Sequence, residues 1–306
     1  MNYNFFSFCL DRLLGEPSRF HPLVGFGTLT LKVEDQLLKE NDSNASRQRL
    51  AGIIACLVLI LPPVFLLIFI QMSLGENSFL VWFISIIVLY LVIGAKSLED
   101  HGSRVASRLK QGDLEGARND VANIVSRNTE NLDEEGVCKA TIESVLENGS
   151  DAIFAAFFWF LIAGAPAALC YRLVNTLDAM WGYRNNRYQY FGWAVARLDD
   201  IMNWLPARLT VLTYALMGNF KLAIRAWREQ AHLLESPNAG PVMAGGAGAL
   251  NLTLGGPAIY HGKLKEKPSF GYGPVPVYQD IYRALSLVRH SIYLWLFLAL
   301  ILAGIL

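Results

Sequence analysis

Three carboxylates recur at helical spacing in the segment IESVLENGSD, namely Glu143, Glu147 and Asp151. Residues four positions apart lie on one stripe of a helix, where like charges repel each other. Such a stripe is favoured when water, a cation or basic partners neutralise it, and carboxylates are common Mg²⁺ ligands. Both a magnesium site and a solvated acidic face fit this pattern.

A second acidic group lies in ARLDDIMNWLPAR, where Asp199 and Asn203 share a helical face and Asp200 follows Asp199 directly. The segment adjoins an apolar stretch. Paired carboxylates there are costly unless they bind a cation or a basic partner. We interpret this pair as functional and expect Pro206 to end the helical turn.

Between these groups, the segment NTLDAMWGYRNNRY interleaves polar residues with aromatic ones. Arg beside aromatic rings suits recognition of phosphate and of a large planar ligand. A belt of aromatic and basic residues at a membrane interface has the same composition, so both alternatives stay open. The polar members are Asn175, Asp178, Arg184 and Arg187.

Glycine and proline are concentrated in the stretch from Ser236 to Gly273. Glycine allows positive φ and close backbone approach, which suits a phosphate or a flat macrocycle. A flexible connection with small-residue helix packing is the alternative. The GxxxxGK[ST] and GxGxxG patterns of the standard nucleotide cradles do not occur here. His21, in a turn-forming segment near the N-terminus, and His261 are lone histidines of the kind that more often stabilise structure than catalyse.

Long apolar segments must position these residues. Leu50 to Met72 and Phe79 to Ala95 are uncharged and long enough to cross a bilayer, so they predict a transmembrane hairpin. Ser291 to Leu306 predicts a further span. Ala152 to Cys170 fits either a span or a buried or re-entrant helix, and Thr210 to Phe220 is short enough to be a re-entrant or packed helix.

The apolar segments predict a polytopic integral membrane protein. The weak strand signals elsewhere predict that it is all-α, with a loop-rich polar region. Basic residues flank both sides of the hairpin but not its turn, which predicts that both flanks, and the active face, are cytoplasmic. The expected organisation is an N-terminal motif segment (1–49), the hairpin (50–95), a catalytic region with membrane-associated helices (96–290) and a C-terminal tail (291–306).

Composition excludes several classes of protein. The formal net charge is zero, whereas nucleic-acid binding needs a clustered excess of Lys and Arg. The four cysteines are scattered, without the spacing of a zinc site or a disulfide framework. The N-terminus has only a brief apolar stretch, which argues against a removable signal peptide.

Taken in chain order, the motif segments resemble the adenosylcobinamide-phosphate synthase family of cobalamin biosynthesis, known as CbiB or CobD. The segments that carry this resemblance are DRLLGEPSRFHPLVGFG, IVSRNT, IESVLENGSDAIFAAFFW, YRLVNTLDAMWGYRNNRYQYFGWAVARLDDIMNWLPARL and SPNAGPVMAGGAGALNLTLGGPAIYHG. Several long motifs in a fixed order cover nearly the whole chain.

The resemblance implies an ATP-dependent, Mg²⁺-requiring amide ligation between adenosylcobyric acid and aminopropanol or its O-phosphate. It marks Glu147, Asp151, Asp199 and Asp200 as candidate catalytic or metal-binding groups, and Arg127, Arg187 and Arg208 as candidate phosphate clamps. His21, Asn175, Asp178, Ser236 and Asn238 fall in the matching motifs as candidate substrate contacts without an assigned role. Membrane lipid is an expected partner, and a homo-oligomer and other cobalamin-assembly enzymes are compatible ones.

Three positions depart from the family pattern. Asn128 stands where the family usually has an acid, Ala156 where it usually has a proline, and Glu16 where it usually has Asp. The first departure favours an alternative in which the chain is a non-catalytic sensor or assembly partner related to the synthase. A second alternative is a Mg²⁺-dependent membrane prenyltransferase, because NxxD followed by DDxxN also occurs in those enzymes.

Overall fold

A computed structural model describes residues 3–16, 21–38, 44–75, 78–125, 127–256, 258–260, 263–265 and 268–305. The described chain is mostly helical. The helices are α1 (Tyr3–Leu14), α2 (Pro22–Leu37), α3 (Ala45–Leu74), α4 (Phe79–Val92), α5 (Ala95–Lys110), α6 (Leu114–Ala122), α7 (Glu134–Gly149), α8 (Ala155–Trp181), α9 (Trp193–Met217), α10 (Phe220–Gln230), α11 (Ala239–Leu250) and α12 (Tyr278–Ile305).

Two short antiparallel strand pairs interrupt this helical architecture. β1 (Thr253–Gly255) pairs with β4 (Ser269–Gly271), and β2 (Ala258–Tyr260) pairs with β3 (Lys263–Lys265). A π-helical turn, Ser150–Phe154, links α7 to α8, and a single 3₁₀ turn, Ala231–Leu233, follows α10. The expectation of a helical fold is confirmed, and these strands are the exception to it.

Four helical stretches of the described chain are long and apolar enough to cross a membrane: Ala45–Leu74, Phe79–Lys110, Glu134–Trp181 and Tyr278–Ile301. The first two contain the predicted hairpin. The last begins well before Ser291, so the C-terminal apolar run is the second half of a longer helix. Length and composition therefore support a membrane protein.

Helix α8 is broken near its middle. Ala163 (φ −146°, ψ 30°) and Gly164 (φ 69°, ψ −162°) are not helical, so α8 consists of two helices, 155–162 and 165–181. Gly164 provides the positive φ, and Pro166 starts the second helix, where its missing N–H leaves no intrahelical bond unmade. The apolar stretch from Ala152 to Cys170 is therefore not one continuous helix.

Packing divides the chain into two compact units: unit one comprises residues 1–94 and 155–203, and unit two comprises residues 95–154 and 204–306. Each unit is assembled from segments distant in sequence. This division concerns packing, and the functional division into four consecutive segments stays a prediction.

The core of unit one is built around α3 and α8. Trp181, Leu177, Phe191 and Leu59 are buried together there. A Cβ on Gly52 would lie 1.9 Å from the carbonyl oxygen of Phe191, so α3 contacts the backbone of the 182–192 loop directly. That contact fixes the end of a loop that carries several predicted site residues.

In unit two, α11 is buried along its whole length. The loop-forming interpretation of the stretch from Ser236 is thus wrong for residues 239–250, where the alternative of small-residue helix packing is found. Its small residues permit close helix packing instead: a Cβ on Gly248 would lie 2.4 Å from the carbonyl oxygen of Leu222 in α10.

Pro206 does not end a helix, contrary to expectation, but lies inside α9. A proline lacks the N–H that would bond the carbonyl four residues earlier, here Met202. The indole Nε1 of Trp159 donates to that oxygen at 3.1 Å. The freed carbonyl is thereby satisfied, and α9 continues through the predicted short apolar stretch to Met217.

Candidate functional site

The predicted site residues occur in both units. Unit one contains His21, Asn175, Asp178, Arg187, Asp199 and Asp200; unit two contains Arg127, Glu147, Asp151, Arg208, Ser236 and Asn238. Each group is described within its own unit.

In unit one, Asp199 is the centre of a hydrogen-bonded group on α8 and α9, here called the Asp199 cluster (Tyr171, Asn175, Asp199 and Asn203). Asn175 Nδ2 donates to Oδ1 of Asp199 at 3.3 Å, and Asn203 Nδ2 donates to Oδ2 at 2.9 Å. The hydroxyl of Tyr171 donates to Asn203 Oδ1 at 2.9 Å, which fixes the orientation of that amide. Two predicted motifs are thus joined through a carboxylate held in a defined position.

The environment of Asp199 opposes its ionisation. Burial raises its pKa, the hydrogen bonds from Asn203 and Asn175 lower it in part, and the charge of Asp200 raises it again. Asp178 is within electrostatic range of both Asp199 and Asp200. Arg197 Nη1 lies 3.6 Å from Asp200 Oδ2 on the outer side of α9. A cation near these carboxylates would offset their mutual repulsion.

Within the part of the chain that the structure describes, no three His, Cys, Asp or Glu side chains are arranged to hold a metal ion. Mg²⁺, however, usually keeps several waters and takes one or two carboxylates together with substrate phosphates. Asp199 and Asp200 fit that incomplete type of site. They do not fit an all-protein cage.

Arg187 is held by a buried carboxylate on α2. Glu34, only 2% exposed, accepts bonds on Oε1 from Arg187 Nε at 3.0 Å, Arg187 Nη2 at 2.7 Å and Tyr188 Oη at 2.9 Å. Its Oε2 accepts from Trp181 Nε1 at 2.8 Å. The bonds to Glu34 raise the pKa of Arg187. This guanidinium anchors the 182–192 loop to α2 and remains cationic.

In unit two, Arg127 pairs with Glu143. Arg127 Nη2 lies 3.4 Å from Glu143 Oε2, both side chains are 8% exposed, and the N–H of Gly255 donates to Glu143 Oε1 at 2.9 Å. Leaving one charge of such a pair buried alone costs about 3–5 kcal/mol. The first member of the predicted acidic stripe is therefore neutralised by a basic partner and a backbone amide.

The π-helical turn interrupts the regular spacing between Glu147 and Asp151, because Asp151 lies within the turn. Turns of this type often occur at functional sites. Tyr214 on α9 donates to the carbonyl of Leu146 at 3.0 Å. Burial, followed by the charge of Asp151, raises the pKa of Tyr214. The hydroxyl of Tyr214 is thus a neutral donor at the start of this turn.

Arg208, Ser236 and Asn238 come together as the sequence motifs suggest. Arg208 Nη1 donates to Asn238 Oδ1 at 2.7 Å and to the carbonyl of Trp204 at 2.8 Å, and Nη2 donates to the carbonyl of Pro237 at 3.0 Å. Ser236 Oγ accepts from the backbone N–H groups of Asn238 at 3.3 Å and Ala239 at 3.1 Å, which orders the turn before α11. In this structure Arg208 orders the chain that leads into α11.

His21 also has a local role. Its Nδ1 accepts from the N–H of Leu23 at 3.1 Å, so His21 is the N-terminal cap of α2. This is the structural role that the sequence favours for a lone histidine. His261 lies outside the described residues.

All three departures from the family pattern can be located, and Glu16 is exposed just after the end of α1. Asn128 Oδ1 accepts from the N–H of Glu130 at 2.8 Å in an exposed turn, and an aspartate oxygen could accept the same bond. Ala156 is fully buried near the start of α8. Pro17, beside Glu16, lies outside the described residues.

Sequence reasoning missed Glu34, Lys139 and Tyr214. Glu34 is followed directly by Asp35 in α2, so no local pattern singled it out. Lys139, on α7, forms an ion pair with Glu135 one turn earlier, with Nζ 2.7 Å from Oε1, and Glu135 is 44% exposed. Exposed pairs of this spacing contribute only about 0.3–0.5 kcal/mol.

Comparison with known proteins agrees with the motif order. The family model described as CobD/Cbib protein matches residues 4–288. The chain is 54% identical to "Cobalamin biosynthesis protein CobD" of Chromobacterium violaceum over 95% of this chain and 93% of that protein. Proteins with the same name from Stutzerimonas stutzeri (95% and 94% covered) and Clostridium perfringens (98% and 96% covered) are 51% and 36% identical. No solved structure matches.

Proposed function

The chain belongs to the CobD/CbiB family of cobalamin biosynthesis, and on this premise we propose that it is an ATP-dependent amide ligase. The substrates would be the carboxylate of adenosylcobyric acid and the amine of aminopropanol or of its O-phosphate. The product would be adenosylcobinamide or its phosphate.

The chemistry explains why ATP is needed. An amine cannot displace oxide from a carboxylate, so one carboxylate oxygen must first become a leaving group. Transfer of the γ-phosphoryl of ATP to that oxygen gives an acyl phosphate and ADP. Attack by the amine then forms the amide and releases phosphate, and a base takes the amine proton. Cationic groups stabilise the charge on the transferring phosphoryl.

The observation that supports this proposal best is the Asp199 cluster. Two amides from different motifs hold the carboxylate of Asp199 in one orientation, and Asp200 follows it on α9. We assign these two carboxylates to a Mg²⁺ ion, which would neutralise ATP phosphates when bound. Within the cluster, Asn175 and Asn203 position Asp199, and Asp178 adds negative charge.

Glu147 and Asp151 are the candidates for the base that receives the amine proton, or for a second cation contact. They lie at the junction of α7 and the π-helical turn, where the backbone departs from regular helix. Arg127, Arg187 and Arg208 are proposed to contribute to phosphate and substrate binding mainly by positioning loops, because each guanidinium has protein acceptors.

We also propose a multi-pass location in the cytoplasmic membrane with the active face towards the cytosol, where ATP is present. The break at Ala163 and Gly164 supports this orientation. A broken helix can enter and leave the bilayer on one side, which would keep Asp199 and Asp200 on the same side as the basic flanks of the hairpin.

Two tests address this function. Purified full-length protein in lipid nanodiscs is expected to bind adenosylcobyric acid and, with ATP, Mg²⁺ and aminopropanol phosphate, to form the amide. Asp200→Ala should abolish turnover while leaving membrane insertion unchanged. Corrinoid binding without any turnover would instead support the sensor or assembly role that Asn128 suggests. Family membership leaves the prenyltransferase alternative without support.

A further inference from the structure

Lys139 lies beside a glycine turn formed by Gly255 and Gly256 in unit two. Both glycines have positive φ, 76° and 99°. A Cβ built on Gly256 would lie 3.8 Å from Nζ of Lys139, and among the described residues other than the chain neighbours of Gly256 no further heavy atom is within 4 Å of that position. The ammonium group is thus next to a backbone turn that has no side chain of its own.

The turn is fixed from the opposite direction. Glu143, one helical turn after Lys139 on α7, accepts the N–H of Gly255 and pairs with Arg127. The carboxylate of Glu143 therefore holds the turn and Arg127 together. Lys139 lies beside these groups and pairs with Glu135 instead.

Lys139 can exchange its partner more easily than Arg127 or Arg208 can. Arg127 is paired inside the protein, and Arg208 has three hydrogen bonds to protein oxygens. The partner of Lys139 is Glu135, whose side chain is 44% exposed and can return to water. An arriving anion could therefore take the place of Glu135 at little cost.

We propose that Lys139 and the Gly255–Gly256 turn bind a phosphate group of the nucleotide, with Lys139 as a direct ligand. This inference rests on the proposed function and deepens it. Gly256 leaves the backbone beside Nζ without a side chain, whereas Gly255 packs against the carbonyl of Pro268 and donates its N–H to Glu143. An ammonium group donates charge-assisted bonds to phosphate oxygens. Glu135 holds Lys139 in place when no phosphate is bound.

The test measures binding of ATP to the full-length protein in nanodiscs, with inorganic triphosphate as the competitor. Lys139→Met should weaken ATP binding about tenfold or more, the loss expected for one charge-assisted bond. Lys139→Arg should retain most of the affinity. In Lys139→Met the KM for adenosylcobyric acid should change less than the KM for ATP.

Glu135→Gln is the matched control, because it breaks the same ion pair and keeps the lysine. It should leave ATP affinity unchanged or make it tighter. Equal weakening in Glu135→Gln and Lys139→Met would mean that the ion pair is only structural, and would overturn the proposal. Should Lys139→Met fail to fold, Lys139→Gln takes its place, since it also removes the charge; ATP affinity equal to that of the wild type in Lys139→Gln would overturn the proposal.

The result also separates this inference from the proposed function. If the wild-type protein binds ATP and Lys139→Met binds it equally well, the role of Lys139 is wrong and the ligase proposal is unaffected. If the wild-type protein binds neither ATP nor triphosphate, both proposals fail together. Both proposals are supported if triphosphate competes with ATP for the wild-type protein but no longer does so for Lys139→Met.

Discussion

Arg127 and Glu143 form a buried ion pair that also holds the backbone of Gly255. Nη2 of Arg127 lies 3.4 Å from Oε2 of Glu143, while Oε1 accepts the N–H of Gly255 at 2.9 Å. One carboxylate therefore connects three sequence motifs that are far apart along the chain. The carboxylate of Glu143 positions these motifs. Arg127 is its ion-pair partner and not a free phosphate clamp.

The first prediction concerns this pair. Arg127→Met should lower the free energy of unfolding by about 3–5 kcal/mol, because Glu143 would remain buried without its cationic partner. Lys96→Met is the matched control, since Lys96 and Asp100 form a more exposed pair one turn apart, and it should cost less than about 1 kcal/mol. Thermal unfolding in detergent measures both. Equal losses of unfolding free energy in the two variants would show that the buried pair stabilises the protein no more than the exposed pair.

The second prediction concerns the anchor of the 182–192 loop. Arg187→Met leaves Glu34 with only Trp181 and Tyr188 as donors among the contacts described above, so the loop should become susceptible to proteolysis. Combining it with Glu34→Gln should cost less than the sum of the single changes, because the two groups interact directly. Limited proteolysis and a double-mutant cycle test this. If the stability lost in the double variant equals the sum of the losses in the two single variants, Arg187 and Glu34 are not coupled.

The third prediction is a pH dependence from Asp199. Burial raises its pKa, so it takes up a proton at higher pH than an exposed Asp, and only the ionised form binds Mg²⁺. Mg²⁺ affinity should therefore fall on acidification before ordinary aspartates titrate. The stability of the metal-free protein depends on pH in the opposite sense. The stabilisation from Asp199 is complete below the pKa of about 3.9 that Asp has in the unfolded chain. It is lost as the pH rises through the higher pKa of Asp199 in the folded protein.

Asp199→Asn provides the check on that prediction. It should remove the acid-dependent part of Mg²⁺ binding, measured by isothermal titration, and flatten the pH dependence of the unfolding temperature over the same range. A Mg²⁺ affinity with the same pH profile in both proteins would mean that Asp199 is not a ligand.

The fourth prediction concerns membrane topology. If the break in α8 returns the chain to the side it came from, Cys introduced at the exposed Asn186 should react with an impermeant thiol reagent from the cytosolic side. Lys110→Cys should behave in the same way, and Leu74→Cys, in the turn region of the hairpin, should react from the outside. Labelling of the Asn186 position from outside the cell would contradict the proposed orientation.

The features that sequence predicted well depend on local spacing. The apolar hairpin follows from uninterrupted hydrophobic runs, and the shared face of Asp199 and Asn203 follows from helical periodicity. The structure confirms the helices, and the bond between Asn203 and Asp199 spans one turn of α9.

The features that sequence missed depend on tertiary contacts. The glycines and the proline of α11 lower its helix propensity, and the segment is helical because its small residues pack closely. Pro206 is tolerated in α9 because Trp159 satisfies the freed carbonyl. The partner of Glu34 is 153 residues away in the chain, and no local pattern specifies it.

If ATP activates the corrinoid carboxylate by phosphorylation, one oxygen of that carboxylate must leave with the phosphate, and isotope labelling follows that oxygen. Adenosylcobyric acid labelled with ¹⁸O in the reacting carboxylate is incubated with the protein, ATP, Mg²⁺ and aminopropanol phosphate. The account predicts one ¹⁸O in each phosphate released for each amide formed, and none with Asp200→Ala. Amide formation with unlabelled phosphate, or with the label in AMP, would contradict it.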